Sequence, residues 1–291
     1  MIDGAAIASE IRSEVAARAA ELREQGTTPG LAAMLVGDDP ASESYVAAKA
    51  RACEEAGIFA ETFRLPATAS REDVLGLVGQ LNADTRFHGI LPQLPLPSHI
   101  DEREILDAVD PAKDVDGLHP VNLGRLLRGD TGGAIPCTPN GVMEILQRTG
   151  NDPAGKHVVI VGRSTLVGRP LAILLSNKGP GANATVTICH TGTPDIGAYT
   201  RQADIVVVAA GRPNTLTADM VSPGAVVIDV GTNRIDDASR ERGWRLVGDA
   251  DARNVREVAA AITKVPGGVG PMTIAMLLVN TVRAAARAAS Q

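Results

Sequence analysis

The sequence specifies a two-domain α/β protein whose C-terminal half carries a doubly wound parallel sheet. Its 291 residues are near twice a typical ~150-residue domain. Short β-branched runs recur about every 20–30 residues after position 155, with helical material between them, which is the pattern of βαβ units. The Gly/Pro-rich segment Gly129-Asp-Thr-Gly-Gly-Ala-Ile-Pro-Cys-Thr-Pro139 reads as the boundary between the halves.

In the first half the spacing predicts a helix over 3–25, a strand over 31–36, and a helix over 42–56 closed by Gly57. A further helix follows over about 71–82, then a strand over 89–91 that runs into the turn Pro92-Gln-Leu-Pro-Leu-Pro97. In the second half 156–161 is a continuous β-branched run ending at Gly162, the signature of a buried parallel strand. Pro170 sits where the first turn of a helix over 169–175 accepts it. Strands are expected at 184–189, 204–209 and 225–230, and the Ala/Leu-rich end from Met272 onward reads as a helix.

Hydrophobic residues at 44% and charged residues at 21% argue against disorder. A net charge of −6 without basic runs disfavours partnership with nucleic acid or anionic membrane. Aromatic side chains are only 2% of the chain, so the core is expected to be Ala, Val, Leu and Ile. Cys53, Cys137 and Cys189 lie far apart, which fits neither a disulfide framework nor a zinc site and suits a reducing compartment. The start, with Asp3 and Glu10, lacks a secretory pattern. No uncharged apolar stretch nears the ~18 residues of a span. A cytoplasmic protein is the expectation.

Five segments carry candidate chemistry. The turn Gly162-Arg-Ser-Thr-Leu-Val-Gly168 between a strand and a helix presents N–H groups and the positive helix end to an anion, usually a phosphate. Its plainer reading is a tight turn that needs two glycines. It is neither a Walker A loop nor a strict GxGxxG. The second strand ends Cys189-His-Thr191 without the acid that NAD-specific sheets use. Arg163, Ser164 and Thr191 therefore favour a 2′-phosphate, and so NADP. Tyr45 and Lys49, four apart on a helix, share one face; Lys49 is either a surface charge or a desolvated base. Gln93 is a lone amide in a stiff proline turn, and Lys113-Asp114-Val-Asp116-Gly117 is a solvated turn or a carboxylate site. Pro266-Gly-Gly-Val-Gly-Pro271 suggests backbone close to a ligand or another strand. The five histidines show no metal-ligand spacing, and no GxSxG elbow is present.

Taken together, these segments resemble the bifunctional methylenetetrahydrofolate dehydrogenase/methenyltetrahydrofolate cyclohydrolase family. The matching pieces are Gly37-Asp-Asp-Pro-Ala-Ser42 with Tyr45-x-x-x-Lys49, Pro92-Gln-Leu-Pro-Leu-Pro97, Lys113-Asp-Val-Asp-Gly117, Pro136-Cys-Thr-Pro139, Val161-Gly-Arg-Ser164 with Val167-Gly-x-Pro170, and Pro266-Gly-Gly-Val-Gly-Pro-Met-Thr273. They stand in the family's order and cover nearly the whole chain.

The resemblance implies a folate-binding catalytic domain over 1–120, with the C-terminal helix 272–289 returning to it, and a Rossmann-like NADP domain over 140–268. It implies hydride transfer from methylenetetrahydrofolate to NADP⁺, then hydrolysis of the methenyl cation to formyltetrahydrofolate. That chemistry belongs to one-carbon metabolism supplying purine, methionine and histidine biosynthesis. Tyr45, Lys49, Gln93 and Asp116 then line the folate site, with Lys49 as proton acceptor held by Gln93 and Tyr45. Gly162, Arg163, Ser164, Thr191 and Thr232 lie on the cofactor; no metal is implied, and a homodimer is. Thr232 replaces the family's usual Ile, and Lys264 its usual Pro, which places a cation where a stiff turn is expected. A monofunctional dehydrogenase, a shikimate-dehydrogenase-like enzyme and a catalytically silent NADP-binding module are the competing readings. Lys49 argues against the first, the lack of its substrate motifs against the second, and intact Lys49, Gln93 and Asp116 against the third.

Overall fold

The computed structural model describes residues 1–130 and 132–290, positions 40 and 41 by their backbone alone. Thr131, in the predicted boundary segment, lies outside the described residues. The chain divides into two units: Ser9–Cys137 with Ile274–Gln291, and Met1–Ala8 with Thr138–Thr273.

Helix α1 (Gly4–Glu24), which belongs to the first of these from Ser9 onward, leads into β1 (Gly30–Val36), which is buried along its whole length. Helix α2 (Pro40–Glu55) follows, started by the Asp39 carboxylate accepting from Ser42 N at 2.8 Å, an N-cap that satisfies a donor the helix leaves free. Strand β2 (Phe59–Leu65), helix α3 (Arg71–Ala83) and strand β3 (Gly89–Pro92) complete a parallel sheet ordered β2-β1-β3. The capping box of Ser70 and Asp73 fixes the start of α3. Short helices α4 (Glu102–Ala108) and α5 (Pro120–Leu127) close the unit. Its core is aliphatic around one aromatic: Met34, Val74, Val78, Leu81, Ile90 and Ile105 pack with Phe87.

The second unit begins with helix α6 (Cys137–Arg148), apart from its first residue, and alternates strand and helix. The order is β4 (His157–Val161), α7 (Gly168–Ser176), β5 (Thr185–Cys189), α8 (Ile196–Thr200), β6 (Ile205–Val208) and β7 (Val226–Asp229). Then come β8 (Asn233–Asp236), β9 (Trp244–Val247), α9 (Ala252–Val255) and β10 (Ala261–Ile262). Five strands form one parallel sheet ordered β10-β7-β6-β4-β5. Val158 to Val161 and Ile205 to Val208 are essentially fully buried, which is why they read as unbroken apolar runs. The strand order reverses between β4 and β6. In such sheets ligands bind outside the carboxyl ends of the strands at that reversal.

Helices α4, α5 and α6 and strand β10 went unanticipated, as did the three strands described next. Strand β2 is a half-exposed edge strand, so its apolar content is diluted. Strands β8 and β9 form an antiparallel hairpin whose Trp244 is stacked by Arg234 and Arg242 at 4.6 and 4.1 Å.

The last helix, α10 (Val269–Ala289), corrects one expectation: by length and composition it is apolar enough to cross a bilayer. Packing accounts for that apolarity, because Met276, Leu277, Leu278, Val282 and Ala285 are all buried. Its residues from Ile274 onward belong to the first unit. Asn280 Nδ2 donates there to the carbonyls of Val115 and Ile135, each at 2.8 Å.

Candidate active site

Lys49 and Gln93 meet at the carboxyl ends of the first unit's strands. Gln93 follows β3, and its N–H donates to Met34 O in β1 at 2.8 Å. Its side chain is likewise held, because Nε2 donates to Leu94 O at 2.7 Å. That leaves Oε1 to accept Lys49 Nζ at 2.9 Å. Lys49 reaches it from the middle of α2, largely withdrawn from water. Burial lowers its pKa from the ordinary lysine value, and the nearby Asp116 carboxylate opposes that shift. Burial in turn raises the Asp116 pKa, with Lys49 pulling it down and Asp114 pushing it up. Cys53 and Cys137, both buried, complete the surroundings. Burial pushes the Cys53 thiol up to about 12 and the Cys137 thiol well above its usual value. Both therefore stay neutral near pH 7 rather than acting as nucleophiles, and the Cys137 thiol donates to Val115 O at 3.3 Å.

The two carboxylates of Lys113-Asp114-Val-Asp116-Gly117 have separate roles. Asp114 is an internal brace, accepting from the N–H groups of Gly117 and His119 at 2.9 Å and from Asn122 Nδ2 at 2.8 Å. Asp116 is left to face Lys49. Gly117 is required there: its φ is +75°, and a Cβ would stand 2.5 Å from Pro136 N.

Tyr45 stands one turn before Lys49 on α2 and is half exposed. It makes no hydrogen bond to Lys49, so Gln93 is the residue that holds the amine.

In the second unit the Gly162 turn follows β4 and opens α7. A Cβ at Gly162 would lie 2.2 Å from Ala209 O, and one at Gly168 would lie 2.2 Å from Gly162 O. Strand end, turn and helix start are thus in backbone contact, which brings the loop after β6 against the turn at the reversal point. Ser164 Oγ accepts from Val167 N at 3.1 Å, while α7 has no side-chain cap on its first turn. Arg163 and Ser164 are exposed, as are Thr191 after β5 and Thr232 after β7. A glycine cradle, an uncapped helix start, an exposed guanidinium and a β5 end, Cys189-His-Thr191, without an acid fit a dinucleotide bearing an extra phosphate.

Two buried carboxylates that sequence reasoning missed brace these loops. Asp249 accepts from the N–H groups of Ala210 and Gly211 at 2.6 and 2.8 Å, and from Asn233 Nδ2 at 2.8 Å. Asp229 accepts from the N–H groups of Gly231, Asp249 and Ala250, each at 2.9 Å. Burial pushes Asp229 up from 3.8 to about 6 despite those donors. A carboxylate with a raised folded pKa loses stability as pH climbs through the interval between the two values. Stability contributed by Asp229 should therefore fall by about 3 kcal/mol from pH ~4 to ~6, at about 1.4 kcal/mol per pH unit. Chemical denaturation of Asp229→Asn beside the parent checks it: the parent's advantage should shrink across that interval.

Lys264, the cation at the position of the family's usual Pro, is paired with Asp3. Its Nζ donates to Asp3 Oδ2 at 2.5 Å, and its N–H donates to Ile2 O at 3.1 Å, so it ties the N-terminus to the segment after β10. Among the described residues, no group of three His, Cys, Asp or Glu side chains is placed to hold a metal ion.

Residues 2–116 match the tetrahydrofolate dehydrogenase/cyclohydrolase catalytic domain, and residues 136–289 match the NAD(P)-binding domain of the same family. Bifunctional protein FolD 1 of Myxococcus xanthus is 54% identical over 284 residues, 98% of this chain and 97% of that protein. The solved structure of the bifunctional enzyme FolD from Campylobacter jejuni has a TM-score of 0.93 and 47% identity, covering 98% of each chain. FolD from Trypanosoma brucei, solved with NADP cofactor and an inhibitor, has a TM-score of 0.93 and 41% identity, covering 99% of this chain and 97% of that one.

Proposed function

The chain belongs to the tetrahydrofolate dehydrogenase/cyclohydrolase family, and from that premise we propose that it oxidises methylenetetrahydrofolate with NADP⁺ and hydrolyses the methenyl product to formyltetrahydrofolate. The observation that carries this reading is the buried Lys49 amine, held by Gln93 Oε1 and facing Asp116.

Methenyltetrahydrofolate is an electrophilic cation, so its hydrolysis needs a positioned water and a proton acceptor. Lys49 is that acceptor. Burial favours its neutral form, and a cationic substrate beside it favours that form further. The bond to Gln93 occupies one N–H and leaves the lone pair of the neutral amine for the water. Asp116 receives the amino and ring N–H groups of the pterin in charge-assisted hydrogen bonds. Tyr45, exposed on the same helix face, packs against the substrate ring.

NADP⁺ supplies the hydride acceptor. The Gly162 turn, Arg163 and Ser164 hold its phosphates, with Thr191 and Thr232 at its flanks. Arg163 pairs with the 2′-phosphate, and the end of β5, Cys189-His-Thr191, carries no carboxylate to repel it. A hydrogen bond to a charged group contributes ~1.5–3 kcal/mol, so Arg163→Ala should cut the preference for NADP⁺ over NAD⁺ by roughly 10–100-fold. Steady-state kinetics with both cofactors test this. Equal use of NAD⁺ by the parent would contradict it. The enzyme is further proposed to act as a homodimer in the cytoplasm, supplying one-carbon units for purine, methionine and histidine biosynthesis.

A further inference from the structure

Asn280 is buried in the apolar face of α10, where Met276, Leu277 and Val282 are its buried neighbours along the helix. A leucine would match the apolar packing there but would take the donor from the two carbonyls that the amide serves. The asparagine instead leaves its Oδ1 without a hydrogen-bond partner among the described residues, a costly arrangement for a buried amide. What the amide achieves is a bridge. Its Nδ2 donates to Val115 O and Ile135 O, each at 2.8 Å, and lies 3.6 Å from Cys137 Sγ.

Val115 O belongs to the peptide unit that enters Asp116. The peptide unit that leaves Asp116 is tied as well, because Asp116 O accepts from Cys137 N at 3.3 Å. Gly117 then packs so closely on Ile135 and Pro136 that a Cβ would meet their backbone at 2.5–2.6 Å. Asp116 is thus clamped between residues 115–117 and 135–137, and Asn280 bonds to both strips beside the Cys137 thiol, which donates to Val115 O at 3.3 Å.

We propose that Asn280 is a positioning residue for substrate: its amide bridges Val115 and Ile135 and so fixes the Asp116 carboxylate for the pterin. This rests on the assignment of Asp116 as the pterin-binding carboxylate. Asn280 touches no substrate. It acts through the two peptide units that set where Asp116 stands.

The test is a double-mutant cycle with Asn280→Leu and Asp116→Asn, reading KM and kcat for methylenetetrahydrofolate, the pH profile of hydrolysis and NADP⁺ affinity. Asn280→Leu should raise the folate KM about tenfold or more with NADP⁺ affinity unchanged. The double variant should lose no more than Asp116→Asn alone, since residues acting through one contact are non-additive. A folded Asn280→Leu enzyme with parental folate KM overturns the inference, and so do strictly additive losses. Should Asn280→Leu not fold, Asn280→Ser, too short to reach both carbonyls, enters the same cycle with the same outcomes. If Asp116→Asn itself leaves folate kinetics unchanged, the assignment of Asp116 fails and the inference falls with it. An impaired Asp116→Asn beside an unimpaired Asn280→Leu rejects the inference alone.

Discussion

Replacing Lys49 with methionine is expected to slow methenyltetrahydrofolate hydrolysis by ~10²–10⁴-fold, the usual worth of general acid–base assistance. Methionine keeps an apolar stem on α2 and removes the amine that Gln93 holds at 2.9 Å. The Gln93 backbone stays anchored on Met34 O, so the strand end should keep its shape. Hydride transfer depends mainly on alignment of the two reactants and should fall much less. NADP⁺ affinity should be unchanged, because the Gly162 turn belongs to the other unit. In the parent, hydrolysis should rise with pH as Lys49 loses its proton. That rise should come at a lower pH than an ordinary lysine gives, since burial lowers its pKa. Decay of the methenyl absorbance in mutant and parent measures this directly. Undiminished decay in the mutant would remove Lys49 from the mechanism.

Gly162→Ala is expected to do comparable damage by a purely steric route. The backbone there has φ +140°, and the new Cβ would fall 2.2 Å from Ala209 O, a backbone atom that cannot swing aside. Strained backbone costs ~1–3 kcal/mol and overpacking a further ~1–3 kcal/mol. A loss of roughly 2–6 kcal/mol is large against the ~5–15 kcal/mol that stabilises a typical protein. Relief requires β4 and the loop after β6 to separate, which opens the phosphate cradle. The expected result is a lower Tm together with NADP⁺ binding weakened by ~10-fold or more, an energy of ~1.4 kcal/mol. A parental Tm and affinity would show that the turn has slack the geometry does not allow.

Legibility in the sequence followed physical locality. Strands β4, β6 and β7 were readable because a strand buried on both faces leaves a continuous β-branched run. Strand β2 was not, since Phe59-Ala-Glu-Thr-Phe-Arg-Leu65 mixes polar and apolar residues on a half-exposed edge. The Tyr45/Lys49 spacing was a local helical fact. The hydrogen bond from Lys49 to Gln93 joins residues 44 apart, and it was expected only through the family resemblance. The carboxylates Asp229 and Asp249 gave no signal, because each acquires meaning only through backbone donors on distant loops. The partner of Lys264 was hidden for the same reason: Asp3 lies 261 residues away. Asn280 sits in a run that reads as ordinary core helix, and nothing local marks the carbonyls it bridges.

The most direct test of the central claim follows one reaction mixture by absorbance: the purified protein with methylenetetrahydrofolate and NADP⁺. The predicted result is NADPH formation with a transient methenyl band that decays faster than in protein-free buffer. NADPH formation with a methenyl band that persists at the buffer rate, or no NADPH at all, would contradict it.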